Sequence, residues 1–115
     1  MLKREVLRGN SNFSAVYNKG KSFGTKYVVL FLKPNNLTYS RFAYIASKKV
    51  GNSVKRKRAV RLMRESYRLS PLKIKEGYDV IFMARNTIDG CKLEDVKKSV
   101  EISLKKSKAI SNGEV

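Results

Sequence analysis

Apolar residues along this chain alternate between two rhythms, a helical period near 3.6 and an extended period of 2. Phe13, Val16 and Tyr17 share one face at i, i+3, i+4, which predicts a short helix over 10–19 closed by Gly20. Residues 26–33, KYVVLFLK, are β-branched and aromatic in succession and read as a strand. Tyr27, Val29 and Phe31 point to one side and Val28, Leu30 and Leu32 to the other, so both faces should be covered. Pro34-Asn35-Asn36 is a turn, and residues 40–47, SRFAYIAS, form a second strand expected to pair antiparallel with the first. After Gly51, with Asn52 or Ser53 as the N-cap, a helix runs over 54–69 and stops before Pro71. Residues 78–84, YDVIFMA, are a third strand, and 86–90 a loop. Leu93, Val96, Val100 and Leu104 recur at helical spacing, giving a last helix to about residue 106. The order predicts an α+β, two-layer domain with three helices on one small mixed sheet. The other sheet face should stay open at least in part. The 115 residues suffice for one domain, 1–115, with 1–9 and 108–115 loosely held.

Charge changes this picture most at residues 47–68, SKKVGNSVKRKRAVRLMRESYR. This stretch holds nine of the chain's 26 lysines and arginines against one acid, Glu65. Placed on a helix at about 100° per residue, Ala59, Val60, Leu62, Met63, Ser66 and Tyr67 share one arc. Arg58, Glu65 and a ridge of Lys57, Arg61, Arg64 and Arg68 share the other. A solvated helix face usually mixes signs to gain i, i+4 pairs, and this one does not. Lys55, Arg56, Lys57 and Arg58 also crowd the first turn, where the helix dipole disfavours cations. Free amides and cations together make an anion site. The ridge therefore reads as a face for nucleic acid, held rigid by the apolar arc. The net charge of +17 points the same way.

The inventory for catalysis is thin. There is no histidine, which removes the usual general base and the usual zinc ligand. The nine acids are scattered, and the adjacent pair Glu94-Asp95 reads as first-turn helix charge. No catalytic residue and no metal site is expected on the chain. Cys91 is alone and can form no internal disulfide, which suits a reducing cytoplasm. The chain has no apolar run of about 18 residues, so no membrane partner is expected. The opening residues, MLKREVLRGNSNF, lack the apolar stretch of a secretory signal.

The string from Ser47 to Val54, followed by Arg56 to Glu65, closely resembles the signature of the bacterial ribonuclease P protein subunit. Residues 12–20, Arg41 and Ala43, and residues 78–85 resemble that family's first helix and later strands. The resemblance implies a ribosomal-protein-like fold with a left-handed strand–helix–strand crossover. It implies a partner, the catalytic RNA, whose Mg²⁺ ions carry the chemistry while the protein alone is inactive. Together they would remove the 5′ leader of precursor tRNA. It implies catalytic-RNA contacts at Lys48, Lys49, Arg56, Arg58, Arg61 and Arg64, and the ridge read from helical spacing adds Lys57 and Arg68. It implies a leader cleft lined by Phe13, Tyr17 and Phe31, where rings stack on bases of any sequence. Two positions depart from the family. Its usual Arg-Asn-Arg triplet reads Arg56-Lys57-Arg58, and Val60 stands where a lysine is common. From the residues alone, the face of Phe13, Val16 and Tyr17 reads rather as core. A plain RNA-binding or ribosomal protein is the main rival function, which composition does not separate. A DNA-binding helix is weaker, because glutamine is absent and no base-reading asparagine lies on the ridge. A stand-alone nuclease lacks its acids and histidine.

Overall fold

In the computed structural model, residues 6–111 are described. The most apolar strand takes the middle. Helix α1 (Asn10–Lys19) leads into strands β1 (Lys21–Gly24), β2 (Val28–Pro34) and β3 (Arg41–Ile45). Helix α2 (Ser53–Leu69), strand β4 (Tyr78–Ala84) and helix α3 (Leu93–Ser107) follow. A 3₁₀ turn, Asn86–Ile88, sits in the expected loop. The sheet order is β1-β2-β4-β3. The expected antiparallel pairing of the first two long strands is therefore corrected. β2 pairs antiparallel with β4, from Val28 opposite Ala84 to Pro34 opposite Tyr78. β3 pairs parallel with β4 on its other side. β4 is buried along most of its length, so it needs a neighbour on each edge and a cover on each face. A hairpin of β2 with β3 would leave that apolar strand at an edge.

The pleat sorts the side chains. Val28, Leu30, Leu32, Val80 and Phe82 pack under Ala59 and Met63 of α2 and Val96, Val100 and Leu104 of α3. On the opposite face Leu7, Val16, Ala43 and Ile81 form a smaller cluster, flanked by Phe13, Phe31 and Ile45. α1 covers only part of that face, and Val29 and Met83 beyond it stay half-buried. Gly20 follows α1 for a reason other than a left-handed cap. Its φ is −85°, but a Cβ there would lie 2.5 Å from the Val16 carbonyl oxygen and 2.6 Å from that of Leu32.

The described residues nearest each end are tied to the sheet and helices. Leu7 is buried and donates its N–H to the Phe42 carbonyl. Ile110 bridges to Ile74, and Ala109 is buried. Of the stretches 1–9 and 108–115 the structure describes residues 6–9 and 108–111, and Leu7, Ala109 and Ile110 among them are packed or paired. The rest of those two stretches lies outside the described residues.

β3 and β4 meet in register at Arg41 and Asp79. Arg41 Nε and Nη2 donate to the two Asp79 carboxylate oxygens at 2.8 and 2.7 Å, and Asn35 Nδ2 adds a third bond at 2.9 Å. Asp79 is buried, so loss of its guanidinium would leave a charge with one neutral donor. Arg41→Met should lower unfolding free energy by about 3 kcal/mol. Urea unfolding checks this, and a loss below about 1 kcal/mol would show that Asn35 suffices.

Candidate nucleic-acid interface

The basic helix is anchored at both ends by its own sequence. Asn52 is the N-cap, and its side-chain oxygen accepts from the Lys55 amide at 3.0 Å. Gly51 has φ +145°, and a Cβ there would lie 2.6 Å from Lys55 Cδ, so the tight entry needs glycine. At the far end Lys73 Nζ donates to the Tyr67 and Arg68 carbonyls, closing the last turn. Between the anchors Ala59, Met63 and Ser66 are buried, and Lys57, Arg61, Arg64 and Arg68 are exposed, as the helical phase requires.

The eight expected catalytic-RNA contacts separate into groups. Arg56, Lys57, Arg61 and Arg64 surround a shallow depression of about 340 Å³ floored by Val60. Four cations and no carboxylate line it. The valine that removes a family charge leaves an apolar floor between the cations. Arg58 turns away and donates Nη2 to the Cys91 carbonyl at 2.7 Å, tying α2 to the loop before α3. Arg68 reaches back to Glu65 at 2.6 Å, and its hydrogen bond lowers the Glu65 pKa. Lys48 and Lys49 are exposed on the turn before the helix. Lys49 shares a second depression of about 530 Å³ with Val29, Ser47, Met83, Arg85 and Asn86.

The expected cleft residues do come together. Tyr17 and Phe31 meet edge to face with centroids 5.0 Å apart, and Phe13 and Phe31 both pack against the smaller cluster. Tyr17 is 38% exposed, and partial burial raises its hydroxyl pKa. Phe13 and Phe31 are half-buried against the smaller cluster, so each ring packs on the core and keeps part of its surface open.

Arg64 connects the two surfaces. Besides the α2 depression, it lines a groove of about 400 Å³ at the β3 edge with Phe13, Ala43, Tyr44 and Ile45. Its guanidinium lies over the Tyr44 ring, 5.4 Å from the centroid. Tyr44 in turn stacks on Phe82 at 5.7 Å, with 8° between planes. Burial pushes the Tyr44 hydroxyl well above its ordinary pKa, against a smaller opposing effect of Arg64. The ring is thus fixed by the core, and the arginine is placed by the ring.

Comparison with known proteins fits this geometry. The model of the Ribonuclease P family matches residues 1–108. The chain belongs to the ribonuclease P protein family. The ribonuclease P protein component of Alkaliphilus metalliredigens is 40% identical over 111 residues, spanning 96% of this chain and 100% of that one. That of Clostridium novyi is 43% identical over 109 residues, covering 93% and 96%. The Staphylococcus aureus RNase P protein structure superposes with a TM-score of 0.80 at 28% identity, covering 93% of this chain and 98% of that one. The Thermotoga maritima protein gives 0.78 at 26%, covering 90% and 97%. Family membership makes the chain a subunit of an endoribonuclease that processes tRNA, with an RNA partner.

Several residues that line these depressions escape a sequence reading. Arg85 follows β4 directly, and its position after an apolar run was the available signal. Val29 and Met83 read as core, and only the short reach of α1 leaves them half open. Tyr44 reads as one more strand aromatic, since its contact with Arg64 depends on how α2 lies across the sheet. The different settings of Arg58 and Arg61 are testable. Arg58→Ala should lower stability by about 1 kcal/mol through loss of the Cys91 contact. Arg61→Ala should leave stability within about 0.5 kcal/mol. Thermal melts of the two variants decide, and equal stabilities would remove the tether.

Proposed function

We propose that this chain binds the catalytic RNA of ribonuclease P through α2 and the 5′ leader of precursor tRNA through the α1–sheet cleft. The complex would cut the precursor endonucleolytically to leave the mature 5′ end. The observation that carries this reading is the depression of Arg56, Lys57, Arg61 and Arg64, free of carboxylates, joined through Arg64 to an aromatic cleft. Phosphate contacts on a rigid helix position an RNA without reading its sequence. Exposed and half-buried rings suit an unpaired strand, whose bases can stack on them, and Lys49 and Arg85 in a neighbouring depression lined by Val29 and Met83 suit its phosphates.

The Mg²⁺ ions of the reaction belong, in this reading, to the RNA. Among the described residues no three potential metal ligands cluster. Asp79, Asp89, Glu65 and Glu101 are each within ion-pair distance of a lysine or arginine. That the described residues gather no such donor set supports a part limited to binding, orienting and neutralising. No described helix is long and apolar enough to cross a membrane. The cytoplasm, where precursor tRNA is made, is the proposed place of work.

Incubating precursor tRNA with the protein, with the catalytic RNA, and with both tests the proposal. Leader removal should need the RNA, and the protein should enhance it at low Mg²⁺. Accurate cleavage by RNA-free protein would overturn the non-catalytic role. Tyr17→Ala should cost about 1–3 kcal/mol of precursor affinity in the assembled enzyme and leave mature tRNA affinity unchanged. An unchanged precursor-to-mature ratio would return Tyr17 to the core.

A further inference from the structure

A second cationic surface lies away from α2. Gly20 lets the backbone pass against Val16 and Leu32, which sets Lys19 and Lys21 on either side of that close approach. Lys21 sits opposite Leu32 in the β1–β2 register. Facing them, α3 ends at Lys108, which has a left-handed φ of 58°. These three lysines, with Phe23 and Tyr78, line a cavity of about 210 Å³. No carboxylate lines it. Among the described residues none of the three ammonium groups has a hydrogen-bond or ion-pair partner. By contrast Lys33, Lys73 and Lys106 donate to backbone carbonyls, and Lys55 and Lys97 lie near carboxylates.

The helix dipole accounts for part of this. α1 and α3 both end here, and carbonyl ends favour nearby cations. That explains Lys19, but not Lys21, which lies on a strand. Nor does it explain a lysine in left-handed conformation at 108, where glycine or asparagine fits at lower cost. The position is also distinct from the surfaces described above. The cavity borders Pro34 and Tyr78, at one end of the β2–β4 ladder, whereas Arg85 adjoins the other end at Ala84. Seven paired positions separate those ends, roughly 20 Å at the rise of a strand. Across the sheet, β1 is the edge opposite β3.

We propose that Lys19, Lys21 and Lys108 form a second RNA-docking site, taking a phosphate of the backbone with its ribose or base against Phe23 and Tyr78. The cavity suits one nucleotide unit rather than a duplex groove. The site rests on the reading of the chain as a ribonucleoprotein subunit. The RNA segment it holds would differ from those on α2 and in the Lys49–Arg85 depression, so the protein would bridge separate parts of the assembly. That segment belongs either to the catalytic RNA or to the precursor.

The test is a triple variant, Lys19→Gln, Lys21→Gln, Lys108→Asn, with Arg61→Ala as reference. Salt dependence would be measured for catalytic RNA binding to the protein and for precursor binding to the holoenzyme. The triple variant should lose about tenfold or more in affinity for one of the two RNAs, and the salt slope for that RNA should fall by up to about three. Which RNA responds names the source. Lys108→Asn alone should keep or raise the melting temperature, because asparagine tolerates the left-handed conformation. Acetic anhydride labelling of the unaltered protein is an independent check, and the three lysines should be protected in the complex. Unchanged affinity and slope for both RNAs, with the lysines still acetylated, would overturn the site. If Arg61→Ala weakened RNA binding in the same series, the function proposed above would stand without it. If Arg61→Ala had no effect either, that function would fall too.

Discussion

The pairing of β3 with β4 is the constraint on which the molecule depends. Parallel strands have no hairpin to set their register, and a slip of one residue turns every side chain to the wrong face. Here the bidentate contact of Arg41 with buried Asp79 marks the first pair of the register. With that pair fixed, Ala43 and Ile45 face α1, while Phe42 and Tyr44 face α2. The Tyr44 ring can then carry Arg64, and α2 is held with its cations outward. A buried ion pair contributes little net stability, but it penalises the wrong alignment heavily.

The charge distribution follows a division of labour. Nine carboxylates cannot balance 26 lysines and arginines, and the structure does not spread them evenly. Asp79 and Asp89 lie beside cations that tie one element to another, Arg41 and Lys55. Glu65 draws Arg68 back along its own helix. The cations in the α2 depression are left without acids. An uncompensated patch of this kind repels itself in the free protein, so a polyanion filling it would also relieve it.

Much of this was legible in the sequence, and the exceptions share a cause. The three helices, the three long strands and the Asn52 cap follow from periodicity and turn chemistry, which are local. Phe13, Tyr17 and Phe31 were named through resemblance, and the packing of α1 on β2 brings Tyr17 against Phe31 and sets Phe13 on the same small cluster. β1 escaped notice because Lys21 and Ser22 are exposed and Phe23 is its one large apolar residue. The strand order escaped because neighbours in sequence usually pair, and only the wholly apolar character of β4 argues against it. Arg58 looked equivalent to Arg61 on a helical wheel, yet it lies within reach of the Cys91 carbonyl. Each exception depends on which distant segment arrives alongside, and one segment's pattern does not encode that.

The sheet's two borders bear on how the free chain survives before it meets RNA. Unpaired strand borders recruit strands from other molecules, which is a route to aggregation. The β3 border is partly closed by the backbone of Val6 and Leu7, which meets Phe42. The β1 border is short and exposes Lys21. Self-association would bring two such lysine-bearing borders together. A chain made before its RNA is at hand is thereby kept dispersed by the same excess of charge that later binds the RNA.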